Sequence, residues 1–558
     1  MKHALLFPVL ALITPLACAA DITVTTLDDS LADDGVCSLR EAMNNARNNN
    51  AVHPDCVGGG LVGMDSIGFA GDLFEGEVAT IHLDTAAGPL IAGGGALRIA
   101  PPDNRRVRLV SDGTSRLMLV QMENRPLQIS RLDMENGFTE NDGGAMLIQS
   151  GATVTLNDCG FDHNTALGSG GAIGFDTAGQ VTLRSYGSRF HGNTAGADGG
   201  AIGTVMESRI DLDIRDSLFS SNISEDRGGA IAMVTAVAPL SVHHSHEIRS
   251  SVFEYNAGFW GGAVHVASGQ NTSNSFELLV EDSRFHSNVS NATDIFGRGG
   301  AISAIGAWRH HNATVTLRRN SFHANSDSGI AMGYKAGAVF IEYAHAYVEN
   351  NLFSRNWAGH GAGALAIVAP SDFENEPDSP RIVRVVFNSF YENNLGMGGG
   401  LGRAWDMLIR YSDAQPMDAV VAGNLFQSSP AMDYEAQWAC VVETQTGTPA
   451  GLSLARYNVS NREECAVGNG SLAMDPGVEL VSEANGSHQL ALRPAPDSPA
   501  LDLVPVDACM DALGTLLQDD MTGAPRPADG NGDGFADCDA GAFEQQPVSD
   551  TIFHDGFE

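Results

Sequence analysis

Lysine is almost missing from the 558-residue chain: Lys2 and Lys335 are the only two among 31 basic residues. Acidic residues number 68, and the net charge is -37. A chain of this sign has no basic patch to meet nucleic acid or an anionic membrane, so neither is expected as a partner. Beyond residue 16 there is no apolar run of the ~20 residues that a membrane-crossing helix needs, and no transmembrane segment is expected in the processed chain. Aromatic residues make up only 7% and cysteines number eight, and no cysteine pair has the spacing of a structural zinc site. With 22 prolines and no triplet period, a collagen-like rod is excluded as well.

Glycine is abundant. Its 64 positions are about 11% of the chain, against ~7% in an ordinary globular protein, which suggests many turns at fixed offsets. Residues 1–20 read as a signal peptide. Lys2 supplies the positive start, Leu5 to Leu16 the apolar stretch, and Ala17-Cys18-Ala19 the small-x-small cleavage site. Lipid attachment at Cys18 is the weaker alternative, because Pro15 stands where an aliphatic residue is wanted. Export to the extracellular space or outer cell surface implies an oxidising compartment. Of the seven cysteines then left, six fall into local pairs, 37 with 56, 440 with 465 and 509 with 538. Sequence does not fix the connectivity, and local closure is the economical reading. Cys159 is left over, as a small buried residue.

The middle of the chain repeats. Phe161-Asp-His-Asn164 is followed by Gly170-Gly-Ala-Ile173, Phe190-His-Gly-Asn193 by Gly199-Gly-Ala-Ile202, and Phe219-Ser-Ser-Asn222 by Gly228-Gly-Ala-Ile231. The pair recurs at Phe253/Asn256, Phe285/Asn288, Phe322/Asn325, Phe353/Asn356 and Phe390/Asn393, and ends at Phe426, which lacks the Asn. Leu132 marks an earlier, degenerate copy. The Phe-to-Phe steps are 29, 29, 34, 32, 37, 31, 37 and 36 residues. Stacked helical hairpins tolerate little drift of this kind, whereas short strands joined by loops absorb it cheaply. Runs such as Val154-Thr-Leu156 and Leu212-Asp-Ile214 alternate with the period of a strand.

These features predict an all-β fold: a right-handed parallel β-helix, the pectin-lyase-like solenoid, with a small N-terminal helical cap. Phe should stack on Phe inside and Asn on Asn at a turn, each coil about 4.8 Å above the last. Phe, Asn and Gly are then architecture rather than chemistry. Gly359-His360-Gly361 resembles the Gly-His-Gly of polygalacturonases, but the paired aspartates of those enzymes are not recognisable, so it reads as a turn variant in the Gly-Gly-Ala position. His191, His286 and His323 follow the core Phe and should face outward, in coils that are not consecutive. His243, His244 and His246, like His310 and His311, read as solvated surface runs rather than metal ligands.

Three stretches resemble known families. Ile22 to Asp29 leading into Cys37-Ser-Leu-Arg-Glu-Ala42 closely resembles the Cys-Ser-Leu-Arg-Glu-Ala domain that opens many secreted bacterial β-helix proteins, over about residues 21 to 70. Ser38 and Glu41 there have the spacing of a helix capping box, and Leu39, Ala42, Met43 and Ala46 share one apolar face. The Phe-x-x-Asn and Gly-Gly-Ala-Ile units, from roughly 130 to 430, resemble those of the polymorphic outer-membrane proteins, which implies adhesion. The membrane barrel of that family cannot be fitted after residue 430. Asp497-Ser-Pro-Ala-Leu-Asp502 to Cys538-Asp-Ala-Gly-Ala-Phe-Glu544 resembles the choice-of-anchor type Q segment that ends bacterial β-helix proteins. The organisation read from all this is a signal peptide at 1–20, the N-terminal domain and cap at 21–90 and β-helix repeats at 91–435. C-terminal coils and the anchor-like segment follow at 436–548, then a tail at 549–558 that could serve in sorting.

Inside the last segment, Asp529, Asn531 and Asp533 stand at positions one, three and five of a calcium loop, with Gly534 at six and Asp537 at nine. Calcium is the one cofactor suggested. Position twelve is Ala540, so Asp539 or Glu544 would have to replace the usual Glu. No catalytic constellation is legible. The sequence points first to a non-enzymatic surface protein presenting loops and one flat face to a glycan or another protein. A polysaccharide lyase or glycoside hydrolase is the alternative, and a purely structural surface module the third reading.

Overall fold

The computed structural model describes residues 19–204, 209–235, 242–269, 274–291, 298–307, 313–329, 334–369, 381–396, 403–411, 417–428, 438–444, 454–482 and 490–547. Most of the expected signal peptide, the terminal tail, His310 and His311 lie outside them. The described chain is a right-handed parallel β-helix with one N-terminal helix. A typical coil runs through Ala152–Asn157 in sheet I, Gly160–Asp162 in sheet II, Thr165–Ala166 in a narrow ladder and Ile173–Phe175 in sheet III. The same path stacks coil on coil into sheets of 14, 14, 9 and 13 strands, in that order. Sheet I runs from Asp21–Val24 to Leu454–Arg456. Among the described strands only Val478–Ser482 and Leu490–Pro494 pair antiparallel.

The repeated side chains set the register. Phe161, Phe190, Phe219, Phe253, Phe285, Phe322, Phe353, Phe390 and Phe426 form one buried column with ring centroids 4.5 to 5.0 Å apart. That spacing is the coil rise, so every ring covers the next and no ring is left against water. Asn164 to Asn393 form the expected amide ladder at the turn after sheet II. Each side chain bonds both the backbone N–H and the side-chain amide of the preceding Asn, at 2.9 to 3.1 Å. The Gly-Gly pair has two separate causes. Gly199 holds φ +70, and a Cβ on Gly200 would stand 2.1 Å from the carbonyl oxygen of Gly229 in the next coil.

A second ladder fills the turn between sheets I and II: Ser188, Ser217, Ser251 and Ser283, continued by Asn320, Asn351, Asn388, Asn424 and Asn458. Cys159 opens it, donating its N–H to Ser188 Oγ at 3.1 Å. Every member follows a residue with positive φ, from Asp158 at 52° to Tyr457 at 56°.

The open N-terminal end is closed by the helix Leu39–Asn48. The capping box forms: the Glu41 N–H donates to Ser38 Oγ at 3.2 Å, and the Ser38 N–H to Glu41 Oε2 at 3.0 Å. Leu39, Ala42, Met43 and Ala46 are buried in the main core. Cys37–Cys56 ties the cap, and Cys440–Cys465 and Cys509–Cys538 also form. The segment from about 497 folds back along the corner between sheets I and II. Asp519 meets Arg318 and Arg319 at 3.3 Å, the Ala512 N–H donates to Glu349 at 2.7 Å, and the Ala542 N–H to Ser389 Oγ at 2.9 Å. Among the described residues no helix is long and apolar enough to cross a membrane.

Candidate functional face

From the strand Ala152–Asn157 onward, the coils differ in length at two corners. From Asn157/Gly160 onward, two residues join sheet I to sheet II, and two residues join sheet II to the narrow ladder in every coil that has one. The number of residues between described strands varies on either side of sheet III: five separate Ala257–Gly258 from Val264–Ser268 and eleven separate Ser326–Asp327 from Val339–Glu342, while four separate Ile173–Phe175 from Gln180–Tyr186 and eleven separate Leu365–Ala369 from Arg381–Val386. The irregular Phe-to-Phe steps are therefore insertions flanking one sheet. Along its strands, Ile231, Met233, Val264, Val266, Ile302, Ala304, Val339 and Ile341 face the core. The alternate positions His265, Ser303, Phe340, Ala366 and Leu408 form an outer column, and Glu342, Val368, Arg410 and Glu443 lie in register beside it.

The residue before each Gly-Gly-Ala builds one edge of this face. Asp142, Ser169, Asp198, Arg227, Trp260 and Arg298 stack in that order, linked by bonds such as Gly199 N–H to the Arg227 carbonyl and Gly228 N–H to the Trp260 carbonyl, both 2.8 Å. Asp198 accepts from Arg227 Nε at 3.0 Å. Burial pushes its carboxyl up to about 6 although the arginine opposes this. The guanidiniums of Arg227 and Arg298 stand 5.8 and 5.3 Å from the Trp260 ring centroid. Arg298 then crosses the sheet, 5.3 Å over Phe340, to pair with Glu342. Burial raises the Glu342 carboxyl above its ordinary range, and Arg298 and Arg381 pull it back. Further along, Arg410 pairs with Glu443 at 2.7 Å and covers Tyr334 at 4.6 Å. Charge is thus largely matched within the face, and its outer column is itself buried: Phe340, Ala366, Val368 and Leu408 form a second hydrophobic cluster, with the partly buried Arg227, Trp260 and Arg298 at the edge. Lys335 occupies the next position of the same edge and is wholly buried, 3.6 Å from Asp327.

The other sequence-derived candidates fall elsewhere. Gly359-His360-Gly361 precedes the true counterpart of Gly-Gly-Ala, which is Ala362-Gly363-Ala364, paired with Ala336-Gly337-Ala338. His286 and His323 correct the sequence reading: their coils are consecutive, and the rings stack 5.3 Å apart. His244 and His246 correct it again. They lie buried on the inner side of His243–Arg249, in line with Ile248, instead of in a solvated run. Burial pulls the His246 pKa down to about 3, so it sits in the core neutral.

In the C-terminal loop the Asp529 carboxylate accepts the N–H groups of Gly532, Asp533 and Gly534 at 2.7 to 3.1 Å, curling the chain around it. Asn531 and Asp533 lie beside it, with 3.4 Å between Asn531 Nδ2 and Asp533 Oδ2. Asp537 accepts from the Val506 N–H at 3.1 Å. Asp539 and Glu544 do not turn toward the loop. Glu544 pairs with Arg526 at 2.8 Å, both fully buried, and Asp539 accepts the N–H groups of Asp502 and Gln545. The carboxylate that does reach the loop is Asp502, whose Oδ2 accepts the Asn531 N–H at 3.1 Å and whose Oδ1 is buried without a partner. In sequence Asp502 stands out only as the end of the Asp497-Ser-Pro-Ala-Leu-Asp502 stretch, and nothing there ties it to the loop. The edge column of sheet III was missed too; its only signal is position, immediately before each Gly-Gly-Ala.

Compared with known proteins, the chain matches no protein-family model and no curated sequence.

Proposed function

We propose that the chain is an exported binding protein that holds an extended glycan or protein segment along the outer face of sheet III, without turning it over. One observation carries the reading: from the strand Ala152–Asn157 onward, chain length varies at the two corners flanking that sheet, while the opposite corners keep two residues per turn. Insertions on a rigid scaffold are where recognition is placed. A face built of repeats a coil rise apart also suits a polymeric ligand, since successive coils offer successive contacts. Three disulfides and the resemblance of the N-terminal stretch to secreted β-helix proteins support export.

The test is affinity electrophoresis of residues 21–558 through gels containing neutral or acidic polysaccharides, with a parallel assay for released sugar ends. Retardation without product is expected. Arg410→Gln should reduce the retardation, and Arg184→Gln on the exposed side of sheet I should leave it unchanged. Sustained product release abolished by a single substitution on this face would replace the reading with a lyase or hydrolase. No retardation by any polymer, together with no captured protein, would leave a structural module.

A further inference from the structure

We propose that the open cavity between the outer face of sheet II and the antiparallel strands Val478–Ser482 and Leu490–Pro494 binds an amino sugar carrying a free ammonium group. The cavity measures about 470 Å³, within the roughly 300–1,000 Å³ of small-ligand sites. Its floor is the end of the outer column of sheet II, where Tyr391 and Gln427 are register partners and Ser428 follows. Val478, Pro494 and Ala495 make the facing apolar wall. Glu392, Asp475, Glu479 and Arg493 bring the charge. The cavity arises because the C-terminal chain folds back on the β-helix: Leu352 and Leu425 of sheet II share a core with Leu492 and Phe543. Beside that contact Tyr391 and Gln427 stay only half-buried. Asp475, Glu479, Arg493 and Pro496 are exposed at the rim, so solvent and ligand have a way in.

The lining selects the ligand, because it is rich in acceptors and in negative charge. Gln427 Oε1 borders the cavity without a hydrogen-bond partner among the described residues. Glu392 is met by Arg355 at 2.9 Å. Asp475 accepts only the Gly477 N–H, at 2.9 Å, and keeps its charge unpaired. The Glu479 side chain has neither an ion pair nor a hydrogen bond among the described residues. Arg493 stands opposite Glu479 in the strand pair, but its guanidinium lies over the Phe543 ring, 5.6 Å from the centroid. A ligand for this cavity must therefore bring N–H or O–H donors, and it gains from a positive charge. Uronate, sulfate and phosphate groups would meet like charge. A bare metal ion does not fit: among the described residues no three acidic, histidine or cysteine side chains come together to hold one. An organic cation with hydroxyls and an apolar ring face does fit, and a hexosamine with a free amine has all three. Its ring C–H groups suit Val478 and Pro494, its ammonium suits Asp475 and Glu479, and a hydroxyl suits Gln427 Oε1. The site is separate from sheet III and does not rest on that face holding a ligand.

The test is calorimetric titration of residues 21–558, at mildly acidic pH, with the tetramer of glucosamine. The contrasts are the tetramer of N-acetylglucosamine, trigalacturonate and trilysine. One saturable event with the glucosamine tetramer is expected, at least tenfold tighter than with any contrast. Asp475→Asn/Glu479→Gln should weaken it tenfold or more. Gln427→Leu leaves the net charge alone and should still weaken it severalfold, which places the ligand in the cavity rather than in the general field of an acidic protein. Arg410→Gln on sheet III should leave it unchanged. Binding that survives both cavity variants would lie elsewhere on the acidic surface and would overturn the site. Equal affinity for the N-acetylated tetramer would overturn the ammonium requirement, and equal affinity for trilysine would overturn the sugar. Retardation in polysaccharide gels that is lost in Arg410→Gln, with no heat in this titration, sinks the cavity site alone. Heat that follows the cavity variants, with no retardation dependent on Arg410, leaves this site standing and removes the sheet III reading.

Discussion

Asn393 Nδ2 donates to Asp406 Oδ1 at 2.9 Å, so the amide ladder of the β-helix ends on a buried acid. Every earlier Asn passes its amide to the Asn of the next coil. The Phe426 coil has none, and Asp406 reaches in from the strand Arg403–Tyr411, whose register shifts between Ala404 and Met407. Ser428 Oγ donates to the other carboxylate oxygen at 2.8 Å. Burial raises its pKa to about 7, the Asn393 and Ser428 bonds lower it, and Glu464 raises it further.

This acid should make the stability pH-dependent. Its folded pKa of about 7 lies above the ordinary 3.8, so the folded state holds a proton that the unfolded state has lost. The contribution is complete below pH 4 and fades as pH rises through 7. Its size is on the order of 4 kcal/mol, because each tenfold gain in proton affinity on folding is worth about 1.4 kcal/mol. Asp406→Asn can still accept from Asn393 and can donate to Ser428, and it does not titrate. The variant should match the parent near pH 4 and exceed it at pH 8, measured as urea midpoints. Parallel curves for the two proteins would sink this account.

The ladder itself should be costly to break. Asn222 Oδ1 accepts from the Asn193 backbone at 3.1 Å and from Asn193 Nδ2 at 2.9 Å, and its own Nδ2 serves the Phe190 carbonyl and Asn256 Oδ1. Asn222→Ala removes a partner from four buried groups at once. A loss of about 3 kcal/mol is expected, since each unsatisfied buried group costs ~1–3 kcal/mol and some will relax. Equilibrium denaturation measures it, and a change under 1 kcal/mol would show that the amides contribute little.

Sequence displayed those parts of the fold that use one residue type per position. Phe161, Phe190 and Phe219 announce a column because each coil needs the same ring at the same place. The turn ladder two residues before each Phe was as regular in space but changes from Ser283 to Asn320 midway, since hydroxyl and amide oxygens accept the same N–H. The edge of sheet III was harder still: Asp198, Arg227, Trp260 and Arg298 interact because they differ, and nothing repeats. His244 and His246 looked solvated by composition, although their spacing with Ile248 is that of an inward strand face. Asp502 lies 27 residues before Asp529 and comes near it only through the fold.

Cys159 should be inert in the folded protein. It is the one free cysteine among the described residues, fully buried, and burial pushes its thiol up to about 12. Thiolate is the reactive form, so thiol reagents at pH 8 should find nothing until the chain unfolds. In residues 21–558, denaturation without reductant should then release a single reactive thiol. Rapid labelling of native protein would contradict the burial, and more than one thiol after unfolding would contradict the three disulfides.

Calcium binding at the C-terminal loop is the remaining expectation, and the folded geometry changes its expected ligands. Asp529, Asn531 and Asp533 are curled together, with Asp502 beside them in place of the missing twelfth-position acid. Burial raises the Asp502 carboxyl above its ordinary range, and Asp529 and Asp533 add to the rise; a divalent ion would relieve that repulsion. Asp537 is engaged by Val506 and would have to release it. The Cys509–Cys538 bridge pins the strand just beyond the loop, which lowers the ordering cost of binding. A weak site is expected, with Kd of ~10⁻⁴–10⁻³ M, the range of extracellular calcium modules. Calorimetric titration of residues 21–558 should show one such event, lost in Asp529→Ala/Asp533→Ala and weakened in Asp502→Asn. Equal weakening by Asp539→Asn, which faces the Gln545 backbone instead, would point to unfolding of the segment rather than to ligation. Heat that is unchanged in the double variant would reduce the loop to a solvated turn.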